Sequence, residues 1–251
     1  MTLFIIGIGL NDEKDVTVKG LETIRSCDEA YMENYTSLIS CSVSDLEKFY
    51  EKKITVVDRK FVEQTDTLVT AARNKKIALL VIGDPFGATT HIDLMLRCKK
   101  GNVGFKIINN ASILIAVGIT GLQIYKFGKT TSIPYPDKGF RPETSYEVIK
   151  QNKILGLHTL LMLDLKPEQN KFMTIAEAID ILLEIESRKK QNVFTEGTFC
   201  VGVARIGSDD FAIKSGKASD LLKEDFGAAP HSLIVPGELH FVEEEALKIW
   251  K

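Results

Sequence analysis

The sequence predicts an α/β protein of two domains, residues 1–111 and 112–251. Three observations carry that expectation. Short, wholly apolar runs alternate with amphipathic stretches through the first hundred residues, the pattern of strands covered on both faces and joined by helical crossovers. The character changes at 109–112, where an apolar segment carrying two glycines begins. With 251 residues, 44% of them apolar and 26% charged, the chain is long enough to bury a large core without disulfide staples.

Taken in order, LFIIGI at 3–8, ITVV at 54–57, IALLVI at 77–82 and FKIIN at 105–109 read as strands. The first run has no basic lead and is followed by acidic residues, so it is a strand rather than a secretory signal. Residues 18–27 and 62–74 have the amphipathic length of crossovers between parallel strands. SILIAVGITGLQIY at 112–125 reads as one helix, apolar on nearly every face and capped by Ser112, which needs burial on most sides. A proline-rich surface loop, SIPYPDKGFRPE, follows. The second half predicts strands at 158–165, 199–206 and 231–236 and a helix at 175–190. That helix carries a capping box of Thr174 with Glu177, a stripe of Ala178, Ile181, Leu182 and Ile185, and basic residues at its end.

Composition excludes several function classes. Thirty-two basic against 34 acidic residues leave a charge of -2, which provides no overall field for nucleic acid or an anionic membrane. The longest apolar run, 113–119, falls far short of the roughly 18 residues needed to span a bilayer. The four cysteines form no C-x-x-C pair and are expected as reduced thiols of a cytoplasmic protein. His91, His158, His231 and His240 lack ligand spacing, so they read as strand-end or surface residues and no metal is expected. Signatures of Walker phosphate binding, of G-x-S-x-G hydrolysis and of H-E-x-x-H zinc chemistry are absent.

Two glycine segments remain. Gly7-Ile8-Gly9-Leu10 ends the first strand, but a dinucleotide fingerprint needs glycine where Asp12 stands, and Glu13 and Asp15 would repel a pyrophosphate. VIGDPFGATTH runs from a strand into Gly83, Asp84 and Gly87, at the carboxyl edge where open α/β sheets take ligands. A bare turn capped by Thr89 or Thr90 explains the same residues, and at this level both readings stand.

GIGLNDEKDVTVKGLE, ENYTS at 33–37, GDPFGATTH at 83–91, NASI at 110–113, GITGLQIYKFG at 118–128, GLHTLLMLDLK at 156–166 and PHSLIVPG at 230–237 together resemble the diphthine synthases. These are a branch of the tetrapyrrole-methylase-like methyltransferases, and the resemblance covers essentially the whole chain. Relatives acting on tetrapyrroles usually carry a proline-glycine-aspartate-proline stretch where this chain has residues 10–15. The resemblance implies two α/β domains with the cofactor in the inter-domain cleft, and a cytoplasmic homodimer that binds neither nucleic acid nor membrane. The implied reaction methylates the amino group of a modified histidine on translation elongation factor 2. Its donor is S-adenosyl-L-methionine, and its product S-adenosyl-L-homocysteine. By analogy the cofactor contacts are Leu10, Asp84, Gly87, Ser112, Ile113, Leu163, Ile206 and His231, with no catalytic residue assigned. The short run at 164–172 resembles archaeal members, which stop at the trimethylated amine. A precorrin-type small-molecule methyltransferase and a non-enzymatic ligand-binding module are the alternative readings.

Overall fold

The computed structural model describes residues 1–137, 139 and 141–251. Packing divides them into two compact units, Met1–Ala116 and Val117–Lys251.

The first unit runs β1 (Thr2–Gly7), α1 (Val18–Ser26), β2 (Glu29–Glu33), α2 (Val43–Tyr50), β3 (Ile54–Val57), α3 (Arg59–Gln64), α4 (Thr67–Ala71), β4 (Lys76–Val81), α5 (Ile92–Lys100), β5 (Gly104–Ile108) and α6 (Ile113–Ala116). Its five strands lie in the order β3-β2-β4-β1-β5, and every neighbouring pair is parallel. β1 and β4 occupy the centre, and their side chains fill cores on both faces: Ile6, Ala78 and Leu80 on one, Leu3, Ile5 and Leu79 on the other. Two-sided burial is why these strands are apolar without alternation. β2 went unread in the sequence because EAYME mixes acid and aromatic residues, although Ala30 and Met32 are buried.

Two helical expectations are corrected. The stretch 62–74 is two short helices, because Asp58 caps α3 through the Phe61 amide at 2.7 Å and the chain turns at Thr65 and Asp66 before α4. The single helix expected over 112–125 breaks into α6, a 3-10 turn at Val117–Thr120 and another at Ile124–Lys126. Gly121 adopts φ +92 and lies tight against Ala246, a conformation and a contact that suit glycine alone. Burial on most sides fails as well, since Ile115, Ile119 and Tyr125 are exposed.

The second unit runs β6 (Thr131–Ile133), α7 (Thr144–Ile154), β7 (Thr159–Leu163), β8 (Leu165–Lys166), β9 (Lys171–Phe172), α8 (Ile175–Lys189), β10 (Phe199–Ala204), β11 (Ala212–Lys217), α9 (Ala218–Leu221), β12 (His231–Val235) and α10 (Phe241–Leu247). Its main sheet, β11-β10-β12-β7-β6, is antiparallel except for the β6–β7 pair. α8 has the expected reciprocal cap between Thr174 and Glu177 and buries Ile175, Ala178, Ile179, Leu182 and Ile185. Lys138 and Phe140 of the proline-rich loop lie outside the described residues. Tyr135 of the same segment is part of the core rather than the surface, its amide bonded to Asp164 Oδ2 at 2.9 Å. The short run after β7 is a two-stranded hairpin of β8 and β9, turned by Asn170 at φ 49.

Candidate active site

In the first unit the loops leaving β1, β4 and β5 are tied into one assembly at the carboxyl edge of the sheet. Gly83 donates to Gly9 O at 2.7 Å, so the two glycine turns form an antiparallel bridge just beyond the parallel strands. A side chain on Gly7 would strike Gly83 O at 2.5 Å and Asn110 Cβ at 2.8 Å, which explains the glycine ending β1. Asn110 donates to Gly7 O and to Asp15 O, both at 3.0 Å, and so clasps the β1 and β5 loops.

Two aspartates in these loops serve the backbone. Asp15 Oδ2 accepts the Leu10 amide at 3.0 Å and the Asn11 amide at 2.7 Å. Asp84 Oδ1 accepts from the Phe86 amide at 2.9 Å, while its Oδ2 accepts from Asn109 Nδ2 and the Asn110 amide, each at 3.0 Å. Both oxygens of Asp84 therefore shape the loop. Gly87 lies against Ser112, where an added Cβ would sit 2.8 Å from Ser112 Cβ. Ser112 is buried and its carbonyl accepts from Ile115 and Ala116, starting the turn that Ile113 opens. The structure thus brings Leu10, Asp84, Gly87, Ser112 and Ile113 together at one edge, with Leu10 and Ile113 partly exposed. Gly83, at φ +81, has room above it: an added Cβ would meet nothing nearer than 3.7 Å.

In the second unit His231 opens β12 opposite Ala204, at the end of β10. Its Nε2 is 3.1 Å from the carbonyls of Gly227 and Ala228, which can only accept, so the proton sits on Nε2. Nδ1 is then a bare acceptor, and it is buried without a partner. Burial lowers the pKa of the ring below its usual value and favours this neutral form. The flanking loop is pinned by Arg205, which donates to Asp210 Oδ2, Asp210 O, Phe226 O and Ala228 O. Ile206 follows it and is buried, and Leu163 ends β7 in the core.

A second polar centre in this unit was invisible in the sequence. Glu243 is fully buried and accepts from Lys126 Nζ at 2.7 Å, the Gln123 and His240 amides at 2.8 Å, and His158 Nε2 at 2.9 Å. His158 Nδ1 accepts the Gly237 amide at 3.0 Å, which fixes the opposite nitrogen as the donor. Burial opposes the carboxylate charge of Glu243, but four donors overcome it and hold its pKa at about 2. Desolvation lowers the His158 pKa in turn. Apart from His240, three residues before it, the partners of Glu243 lie 85 to 120 residues away, so no spacing announces them.

Among the described residues no group of three or more His, Cys, Asp and Glu side chains is placed to hold a metal ion, and no helix is long and apolar enough to cross a membrane.

Residues 2–222 match the model of the Tetrapyrrole (Corrin/Porphyrin) Methylases. Within that superfamily, the diphthine methyl ester synthase of Dictyostelium discoideum is 42% identical over 269 aligned residues, covering 100% of this chain and 98% of the relative. A diphthine synthase of Methanococcus maripaludis is 46% identical over 248 residues, covering 98% and 97%. The chain belongs to the diphthine synthase family. A solved crystal structure of a diphthine synthase superposes with a TM-score of 0.91 at 37% identity, covering 100% of this chain and 96% of the other. Membership makes the chain an enzyme, an S-adenosylmethionine-dependent methyltransferase of diphthamide biosynthesis with the tetrapyrrole-methylase fold.

Proposed function

We propose that this diphthine synthase homologue methylates the amino group of the modified histidine on translation elongation factor 2. The observation that carries the reading is full-length identity of 42% and 46% to relatives named for diphthine chemistry. S-adenosylmethionine is the proposed donor. It would be held by Leu10, Asp84, Gly87, Ser112 and Ile113 of the first unit and Leu163, Ile206 and His231 of the second.

The residues present fit such a group. His231 Nδ1 is a buried acceptor in need of an N–H donor, which the exocyclic amine of an adenine supplies. Leu10, Ile113, Leu163 and Ile206 offer apolar walls, as a thioether stem and a purine face require. Asp84 and Asn110 hold the loops at fixed spacing, so the chain contributes preorganisation rather than a reactive group. When bound, S-adenosylmethionine supplies a methyl group activated by a sulfonium. The protein has to place an amine lone pair in line with it, at about 3 Å, and exclude water.

The enzyme works as a cytoplasmic homodimer in this reading. Exposed Ile115, Ile119 and Tyr125 supply apolar surface for a partner copy. Methylation ends at three methyl groups, because a quaternary nitrogen has no lone pair left. The alignment with the Dictyostelium methyl ester synthase runs over 269 positions against the 251 residues of this chain, whereas the archaeal alignment runs over 248, and that closeness in length supports the archaeal-like endpoint. Mass spectrometry of elongation factor 2 after incubation with enzyme and S-adenosylmethionine tests the proposal. Three nitrogen-borne methyl groups are expected. An unmodified factor overturns the substrate, and a fourth, base-labile methyl group overturns the endpoint.

A further inference from the structure

The first unit holds a cavity of about 310 Å³ whose polar lining is Glu63 of α3, Thr90 and His91 of the loop after β4, and Asp93 and Arg97 of α5. The residues proposed for the cofactor do not line it. Its connection to them runs through one carbonyl: Pro85 O accepts from His91 Nδ1 at 3.1 Å and from the Thr89 hydroxyl, within the turn that carries Asp84 and Gly87. Because a carbonyl can only accept, the proton of His91 resides on Nδ1 and Nε2 keeps its lone pair.

Three buried polar atoms here lack a hydrogen-bond partner: His91 Nε2, Arg97 Nε and the hydroxyl of Tyr35 in the ENYTS segment. His91 is 1% exposed. Arg97 gives its two terminal nitrogens to Thr65 O and Val62 O, while Asp93 Oδ2, 2.7 Å from Nε, supplies counter-charge out of line with the N–H bond. Tyr35 adjoins the cavity through Arg59, which lies over its ring at 4.9 Å and stands 3.7 Å from Glu63. The unmet capacity is therefore two donors and one acceptor. Both carboxylates of the lining already face an arginine, so a charged ligand would find no counter-charge and a neutral one is favoured. A carboxylate could give His91 no hydrogen, and an ammonium could accept nothing from Arg97 or Tyr35. A primary carboxamide answers all three atoms, since its oxygen has two lone pairs and its nitrogen two hydrogens. The volume exceeds what one bridging water needs and lies at the low end for small-molecule sites.

We infer that this cavity binds a primary carboxamide: the amide oxygen takes the Arg97 Nε–H and the Tyr35 O–H, one amide hydrogen goes to His91 Nε2, and the other goes to Glu63, which also accepts from Thr90 at 2.7 Å. The site is separate from the reacting centre and does not depend on the proposed reaction. Its effect on the enzyme passes through His91. An imidazole that accepts at Nε2 donates more strongly at Nδ1, so an occupied cavity tightens the hold on Pro85 O in the Asp84–Gly87 turn. The carboxamide comes either from a free small molecule or from an Asn or Gln side chain of the protein substrate.

Nicotinamide is the probe, with nicotinic acid and N,N-dimethylnicotinamide as controls that lack amide hydrogens. Nitrogen NMR of the full chain follows the His91 Nε2 resonance, which nicotinamide should move upfield and saturably, with a dissociation constant of about millimolar order. Both controls should bind at least about tenfold more weakly. Tyr35→Phe removes an unmet buried hydroxyl, so stability should hold or rise while nicotinamide affinity falls at least about threefold, a combination that a purely structural tyrosine would not give. Saturating nicotinamide should raise KM for elongation factor 2 if a side chain of that protein uses the site, and leave KM unchanged if a free amide does. An unmoved His91 resonance, equal binding of N,N-dimethylnicotinamide, or unchanged nicotinamide affinity in Tyr35→Phe overturns the site. The binding readouts require no methyl transfer, so the enzymatic reading stands or falls separately.

Discussion

Two buried polar regions of this molecule differ in how completely they are satisfied. Around Glu243, every lone pair of consequence meets a donor: two amides, an ammonium and an imidazole converge on one carboxylate, and the far side of that imidazole accepts a further amide. Around the loops carrying His91 and His231, each imidazole has one nitrogen fixed by backbone carbonyls and the other buried without a partner. An unmet buried acceptor costs about 1–3 kcal/mol, so it persists where a ligand completes it. In the proposed reading the satisfied centre serves stability, and His231, which is unsatisfied among the proposed cofactor residues, serves binding.

The largest effect that could break this division is expected from Glu243→Ala. It leaves the buried His158 imidazole without its acceptor and the half-buried Lys126 ammonium without its counter-charge, a loss of about 3–5 kcal/mol. Denaturant titration should show that loss, with S-adenosylmethionine affinity of the folded fraction unchanged. A fall in donor affinity would place Glu243 with the binding centres.

Next in size is Gly87→Val. The new side chain meets Ser112 at the first carbon, so the loop must shift, and donor binding should weaken at least tenfold, about 1.4 kcal/mol, without unfolding. Calorimetry on the folded variant decides it, and unchanged affinity would remove Gly87 from the binding edge.

Acidification sharpens the same contrast at a smaller scale. Burial lowers the folded-state pKa of both His158 and His231, so each ring prefers to stay neutral in the native protein. The stability this represents is present above the free imidazole range of about 6.5 and is lost as pH falls below it, by no more than about 1.4 kcal/mol per pH unit per ring. Saturating donor should protect His231 and not His158. A His158→Gln variant should therefore retain all of the ligand-dependent acid protection, and loss of that protection would contradict the assignment.

How much of this could be read from the sequence depended on range. The strands at 54–57 and around 77–82 and the helix after Thr174 announce themselves, because two-sided burial and a capping box are local patterns. Helix 112–125 misled because apolar character alone does not distinguish a helix from a chain of short turns, and the deciding contact, Gly121 on Ala246, spans 125 residues. Gly83, Asp84 and Gly87 stood out as punctuation at a strand end. That Asp84 spends both oxygens on its own loops did not, because its partners Asn109 and Asn110 come from another strand. The free nitrogen of His91 was equally hidden, since a sequence names an imidazole without saying which nitrogen is occupied.

The Asp15 carboxylate carries a consequence for life in a crowded cell. A glycine turn at the carboxyl end of a central parallel strand is where nucleotides settle in many enzymes, and cells hold adenine nucleotides and pyridine dinucleotides in great excess over any methyl donor. Here the amides of Leu10 and Asn11 are already occupied by an anion that the chain itself provides. ATP or NAD would have to evict a tethered carboxylate and then sit beside its charge, while a cofactor with a sulfonium and no phosphate meets no such contest. With the amides of Leu10 and Asn11 spent on Asp15, the turn has neither of them left for a phosphate.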